Sequence, residues 1–297
     1  MIVVIGFVVV FGSILGGFTI AGGQIPTLFH ISEIFVIVGT AVGTVVVATP
    51  MNVLKSLAAD LGSLPKPSQF TRPLYLEGLK MMFELFQTAQ RDGLVAIESH
   101  IEAPHKSSLL KKYPGVLKEH HAIIFLCDSL RLVLIGSVPP HDLEALLDAE
   151  IEIHHEQSMR TVAAIQKVGD ALPGIGIVAA VLGIVITMGA INGPVEQVGE
   201  HVAAALTGTF LGVFLAYGVL APIATNMELR KADESRFYHF IKAGVIAVAK
   251  GSTPIVAVEF ARRSIYSESR PTFNEMESAC KSLKGKKGSQ GADAKAA

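Results

Sequence analysis

The chain has 297 residues, half of them hydrophobic (50%), no Trp and a formal net charge of −1. A mean hydropathy of +0.48 is more apolar surface than one internal core hides, which argues against a soluble protein, and the near-zero charge leaves no general basic field for nucleic acid. Cys127 and Cys280 are far apart and match no metal-ligand spacing.

Four stretches lack Asp, Glu, Lys and Arg: 1–32, 34–54, 171–195 and 202–227. Each is long enough for a helix of about 20 residues to cross a bilayer. The first, read over Ile2–Ile20, has no basic leader and no small-residue cleavage pattern, so it is expected as a retained span rather than a signal peptide. Residues 1–54 then hold spans one and two. Small residues recur at four-residue spacing in every span, as Gly12 and Gly16, Gly39 and Gly43, Ala179 and Gly183, Gly208 and Gly212. Such pairs let helices approach closely in lipid.

Residues 55–170 read as a helical domain. "LYLEGLKMMFELFQTAQ" (74–90) places Leu76, Leu79, Met82, Phe83 and Phe86 on one helix face. Pro104, Pro114 and Pro139–Pro140 punctuate the domain, and His141–Val168, free of Gly and Pro, forms an amphipathic helix aimed at span three. A kink is expected where it reaches Gly169–Pro173. Residues 171–227 hold spans three and four. Residues 228–297 form a tail, helical at first and disordered over "KSLKGKKGSQGADAKAA".

Residues 55–170 carry 12 of the 25 Lys and Arg and residues 228–297 the other 13, while the loops near 21–33 and 192–201 carry none. The positive-inside rule places both basic segments and both termini in the cytoplasm. The fold expected is an all-α integral membrane protein with four transmembrane helices, a helical cytoplasmic domain between spans two and three, and a cytoplasmic tail. Both cysteines then lie on the reducing side.

The charge-free spans offer only hydroxyls and an amide: Thr40, Thr44, Thr187, Thr207, Thr209, Tyr217 and Asn192. None of these binds and releases a proton near neutral pH. Either the chain conducts nothing, or another subunit brings the titrating group. Pro173 and Pro222 read first as helix boundaries and second as hinges. Glu150 and His154 share a helix face, and His120, His121 and His155 lie in the same domain, but no third metal ligand is placed, so no metal is expected. Arg91, Glu98, Asp128, Glu144 and Glu150 are by default solvated charges. No P-loop, nucleophile elbow or dinucleotide fingerprint is present, and no enzyme chemistry is expected.

The blocks "VGDALPGIGIVAAVLGIV", "LTGTFLGVFLAYGVLAPIAT" and "PIVAVEFARRSIYSESRPTF", with "GFVVVFGSILGGFTIAGG" and "RDGLVAIESHIEAP", resemble the MotA family of bacterial flagellar stator subunits over roughly residues 1–280. The resemblance implies a ring, taken as a pentamer, around a MotB dimer that supplies the ion-carrying aspartate. Proton flow through the inner membrane then drives torque on the rotor protein FliG, with no cofactor. It implies that Pro173 and Pro222 couple ion binding to movement, with Ala180, Thr209 and Tyr217 along the ion path. Rotor contacts fall to Glu98, Asp128, Glu144 and Glu150. Members often carry a positive charge where this chain has Gln90, which makes Arg91 the expected contact here. Sodium-driven relatives place a threonine where Ala180 stands, so protons are expected; a sodium-driven subunit is the alternative. An ExbB- or TolQ-like energising subunit is a further alternative, against which the four-span count speaks.

Overall fold

The computed structural model describes residues 2–293. It is helical throughout, with no strand among the described residues. The helices are α1 Ile2–Ile20, α2 Ile31–Ala48, α3 Met51–Ser63, α4 Arg72–Asp92, α5 Glu98–Glu102, α6 Pro114–Leu117, α7 His120–Ile135, α8 Pro140–Gly189, α9 Val195–Phe214, α10 Ala221–Ala249, α11 Pro254–Arg263 and α12 Phe273–Asp293. A π-helical turn, Leu215–Leu220, joins α9 to α10. Four helical segments are long and apolar enough to cross a membrane: Ile2–Ile20, Ile25–Ala48, and parts of Pro140–Gly189 and Val195–Ala249.

The chain divides into two compact units. One takes the residues up to Pro67 and Gln157–Arg230; the other takes Ser68–Glu156 and the chain from Lys231 onward. The first therefore holds more than the spans. Leu57 and Leu64, from α3 and its C-terminal end, bury against Val162 and Ile165 of α8 and against Ala224 and Met227 of α10. Thr161 donates to Asp60 at 2.8 Å. Arg230 donates to the carbonyls of Ser63 (3.0 Å), Leu64 (2.8 Å) and Lys66 (2.7 Å). Carbonyls at a helix C-terminus lack intrahelical partners, and a guanidinium fork satisfies several at once.

Within this unit α1 buries no residue. It touches α9 through Phe11 on Phe214, edge to face at 5.1 Å. Its outward valines and isoleucines are what a lipid-facing helix presents.

In the second unit α4 is the axis. Leu79, Met82, Phe83 and Phe86 are buried as the periodicity predicts, but so are Tyr75, Met81 and Leu85, while Leu76 is half-buried. The helix is packed by neighbours on several sides, α11 and α12 among them, so its apolar surface is wider than one face. Gly78 admits the Phe240 ring of α10, where a Cβ would stand 2.9 Å from the ring edge. Glu84, buried in this core, accepts from Lys112 at 2.6 Å and Tyr113 at 2.9 Å. α8 contributes Leu143, Leu147 and Ile151 to the same core.

α8 runs as one unbroken helix across Gly169–Pro173, with Pro173 inside it. One expectation differs from what is seen. The tail expected to be disordered is helical in α12 as far as Asp293; residues 294–297 lie outside the described residues.

Candidate functional site

α8 and α9 cross at glycine. A Cβ on Gly176 would stand 2.9 Å from the Gly208 carbonyl oxygen, and one on Gly212 would stand 2.7 Å from the Leu172 carbonyl oxygen and 2.8 Å from the Gly176 Cα. A Cβ on Gly208 would meet Ala179 at 3.2 Å, and one on Gly183 would meet Ala205 at 3.0 Å. Two of the four small-residue pairs, Ala179 with Gly183 and Gly208 with Gly212, thus face one another across a seam of backbone contact. Around Gly12, Gly16, Gly39 and Gly43 there is open space within 4 Å, so these pairs meet nothing in this chain.

Ala180 and Thr209 flank this seam. The Ala180 backbone N lies 3.4 Å from a Cβ built on Gly208. Both residues are half-buried. The neighbouring threonines are closed on their own helices, Thr187 onto the Gly183 carbonyl at 2.8 Å and Thr207 onto the Ala203 carbonyl at 2.9 Å. Among the described residues the Thr209 hydroxyl takes no partner and stays available to an outside ligand.

Pro173 lies on α8, and Pro222 lies in the first turn of α10, just past the π-helical turn that follows α9. Proline has no N–H, so Pro173 leaves the Gly169 carbonyl without its i→i−4 partner. Gly169 in turn faces Leu220: a Cβ there would meet the Leu220 Cβ at 3.5 Å. Leu220 ends the π-helical turn, and Pro222 follows two residues on. Two weakened turns from separate helices are therefore registered against each other. π-helical turns inside α-helices recur at functional sites. Tyr217, in this turn, is 69% exposed.

Glu33 was missed from the sequence. It falls between two charge-free stretches, so the expectation of spans without ionisable groups does not hold for α2. Glu33 sits in the first turn of α2 with 6% of its surface exposed. Its Cγ lies 3.5 Å from a Cβ built on Gly208, at the level of Ala180 and Thr209. Ser32 donates to its carboxylate at 2.5 Å. A buried carboxylate in a membrane helix is costly and is a functional candidate by default. The available signal was the break itself, a single acid between two apolar runs.

The charges predicted to meet the rotor all lie in the second unit. Arg131 pairs with Asp128 and donates to the Ile101 carbonyl at 3.2 Å, tying Asp128 to α5, whose first residue is the exposed Glu98. Glu150 is close enough to Asp128 to feel its charge; burial first and that charge second push the Glu150 carboxyl above its ordinary value. Glu144 pairs with Lys250 at 2.8 Å. Arg91 is exposed and held by the adjacent Asp92 through two hydrogen bonds, 2.8 and 2.7 Å. Asp128, Glu150 and the α5 end thus gather, while Glu144 and Arg91 each have a local partner.

The Glu150–His154 metal reading does not match the geometry. His154 turns to Tyr238, 3.1 Å away, and to Glu234, 3.7 Å away. Among the described residues no three His, Cys, Asp or Glu side chains are grouped to hold a metal.

Geometry alone defines a multi-pass helical membrane protein with a glycine-packed helix pair and a charged helical domain. Comparison with known proteins narrows this. Residues 4–93 match the family described as Motility protein A N-terminal, and residues 118–238 match the MotA/TolQ/ExbB proton channel family. The chain is similar to Motility protein A of Escherichia coli K12, with 33% identity over 96% of both chains. It is also similar to the chemotaxis protein LafT of Vibrio parahaemolyticus, with 35% identity over 92% of this chain and 96% of that one. Its fold resembles a chain of the C. jejuni MotAB structure, with a TM-score of 0.72 at 20% identity over 91% of this chain and 97% of that one. It likewise resembles a chain of the flagellar MotAB stator complex of Bacillus subtilis, with a TM-score of 0.68 at 23% identity over 86% and 92%. The chain belongs to the motility protein A branch of the MotA/TolQ/ExbB proton channel family, a family of channels and not of enzymes.

Proposed function

We infer that this chain is a flagellar stator subunit that couples proton flow through the bacterial inner membrane to torque. The observation that carries the mechanism is the register of the two weakened turns, Gly169–Pro173 against Leu215–Pro222, beside a seam packed closely through glycine. Such a pair bends at one level while staying packed at the next. A MotB-type partner brings a protonatable aspartate to the face near Ala180 and Thr209, and copies of this chain, five by family resemblance, surround it. Proton binding there shifts the turns at Pro173 and Pro222, with Tyr217 on the exposed side. Both termini and the charged domain lie in the cytoplasm, where Lys and Arg concentrate. There Glu98, Asp128 and Glu150, with Arg91 and Glu144, meet a rotor protein of the FliG type. No cofactor is required.

Protons are favoured because Ala180 offers no oxygen to replace the hydration shell of sodium. The test is rotation of a stator-deleted, flagellated cell expressing this chain with its cognate partner, in media with and without sodium. Rotation that persists without sodium and follows the proton motive force supports the reading. Rotation that stops without sodium keeps the stator role and overturns the ion. Absence of rotation with both chains in the membrane overturns the role.

A further inference from the structure

A slot of about 370 Å3 opens between the C-terminal end of α2, the start of α3 and the face of α8. Val45, Ala48, Val53 and Val168 supply apolar wall, and Arg160 and Lys167 are the ionisable residues that line it. Seven residues apart on α8, the two cations lie on one face, about 10 Å apart along the axis. Both are exposed, and among the described residues neither has an ion pair or a hydrogen bond. Among the described arginines only Arg160 has neither such a bond nor a ring contact. Arg72, Arg91, Arg131, Arg262 and Arg263 have carboxylate partners. Arg230 and Arg270 hold backbone carbonyls, and Arg236 lies over the Tyr266 ring. No acidic side chain lines the slot.

We propose that this slot is a binding site for an anionic glycerophospholipid of the surrounding bilayer. Its acyl chain lies along the valine wall, and its headgroup phosphate meets Arg160 and Lys167. The level is right: Lys167 stands four residues before the charge-free stretch of α8 begins, and Pro50 marks the turn that ends α2. Basic pockets between helices at the cytoplasmic end of spans suit anionic headgroups. The wall is continuous with lipid-facing surface, since Val46 and Val47 beside it are 56% and 89% exposed. A second groove, about 520 Å3, lies among Ile14, Phe18, Leu28, Leu206 and Phe210 and has no ionisable side chain in its lining. It offers contact to acyl chains and no discrimination between headgroups. The site rests on the membrane topology inferred above and not on the ion or the torque.

The test is native mass spectrometry of the purified full chain, titrated with phosphatidylglycerol and, separately, with phosphatidylcholine. Phosphatidylglycerol should bind at one site at least tenfold more tightly. Arg160→Gln and Lys167→Gln should each weaken it about fivefold, the scale of one cation at an anionic surface. Arg160→Lys should stay within about twofold of wild type, which controls for misfolding. Lys55→Gln, an exposed cation outside the slot, should change nothing. Equal binding of both lipids, or an equal loss in Lys55→Gln, overturns the proposal. So does full competition by soluble glycerophosphate, which would make the ligand a free anion. Oxidative crosslinking of Thr49→Cys to a second copy would mean that another chain covers the slot, and also overturns it. Because none of these readouts uses rotation, failure of the site and failure of the stator reading are separable.

Discussion

Gly212→Ala adds one methyl group at the tightest point of the α8–α9 seam. The new Cβ would stand 2.7 Å from the Leu172 oxygen, 2.8 Å from the Gly176 Cα and 3.1 Å from the Gly176 N, where ordinary contact is 3.4–4 Å. All three atoms are backbone, so no side-chain rotation relieves the clash, and the helices must part by roughly 1 Å to regain that contact. Overpacking of this kind costs about 1–3 kcal/mol. Alanine returns up to about 1 kcal/mol of helix propensity. With the full propensity gain the balance is a loss of up to about 2 kcal/mol, or up to roughly 30-fold in the equilibrium between packed and separated helices, and the all-backbone clash puts it toward the upper end. Gly174→Ala is the control on the same helix: nothing lies within 4 Å of its Cβ, so only the propensity gain remains. Heat-induced loss of monodisperse protein, followed by size-exclusion chromatography, should set in several degrees lower for Gly212→Ala and no lower for Gly174→Ala. Identical onset for the two variants would refute the claim that the seam is held by backbone approach.

Further outcomes follow from the same geometry. Pro173→Leu and Pro222→Leu restore a backbone donor to turns that lack one, so each should abolish rotation with membrane levels near wild type; loss of the protein from the membrane would return both prolines to a purely structural role. Cys127 is buried, and burial pushes its thiol up to about 11. It should resist iodoacetamide at pH 8 in the folded chain and react promptly in detergent-denatured protein; rapid labelling of the native chain would contradict the burial. Glu275 accepts from the Thr272 backbone N–H at 2.7 Å, from the Thr272 hydroxyl and from Arg72, and these partners hold its carboxyl down at about 2, against 4.5 ordinarily. A depressed value means that its contribution is present above pH 4.5 and fades as pH falls toward 2. Glu275→Gln should therefore speed amide exchange at the start of α12 at pH 7, with the difference from wild type shrinking below pH 4.5; a difference unchanged at pH 2.5 would rule out the carboxylate as its source.

The spans were legible because bilayer thickness sets a length and charge is excluded from it. Three other features show where such patterns stop. The small-residue pairs look alike in all four spans, yet only those of α8 and α9 meet each other; spacing reports that a close approach is possible and not which helix makes it. Gly176, central to that seam, also opens a four-residue pair with Ala180, which the spacing does not set apart from its neighbours. The periodicity of α4 gave one apolar face, whereas burial of Tyr75, Met81 and Leu85 depends on helices that arrive from distant sequence. The π-helical turn has no signature in "LAYGVL", since widening a turn depends on what packs beside it.

The prolines gain their meaning from this tertiary register. Either one alone is compatible with a simple helix boundary. Opposed through Gly169 and Leu220, they put two backbone defects at one level, while Gly176 and Gly212 fix the helices a short way along. A bend in α8 by itself would break the seam or strain it; a bend shared by both helices at the level of their weak turns need not. In the coupling proposed above, Ala180 and Thr209 lie on the close-packed side and Tyr217 and Pro222 on the side of the weak turns, so an event at the seam would be read out as movement at those turns without separating the helices in lipid, where little would drive them back together.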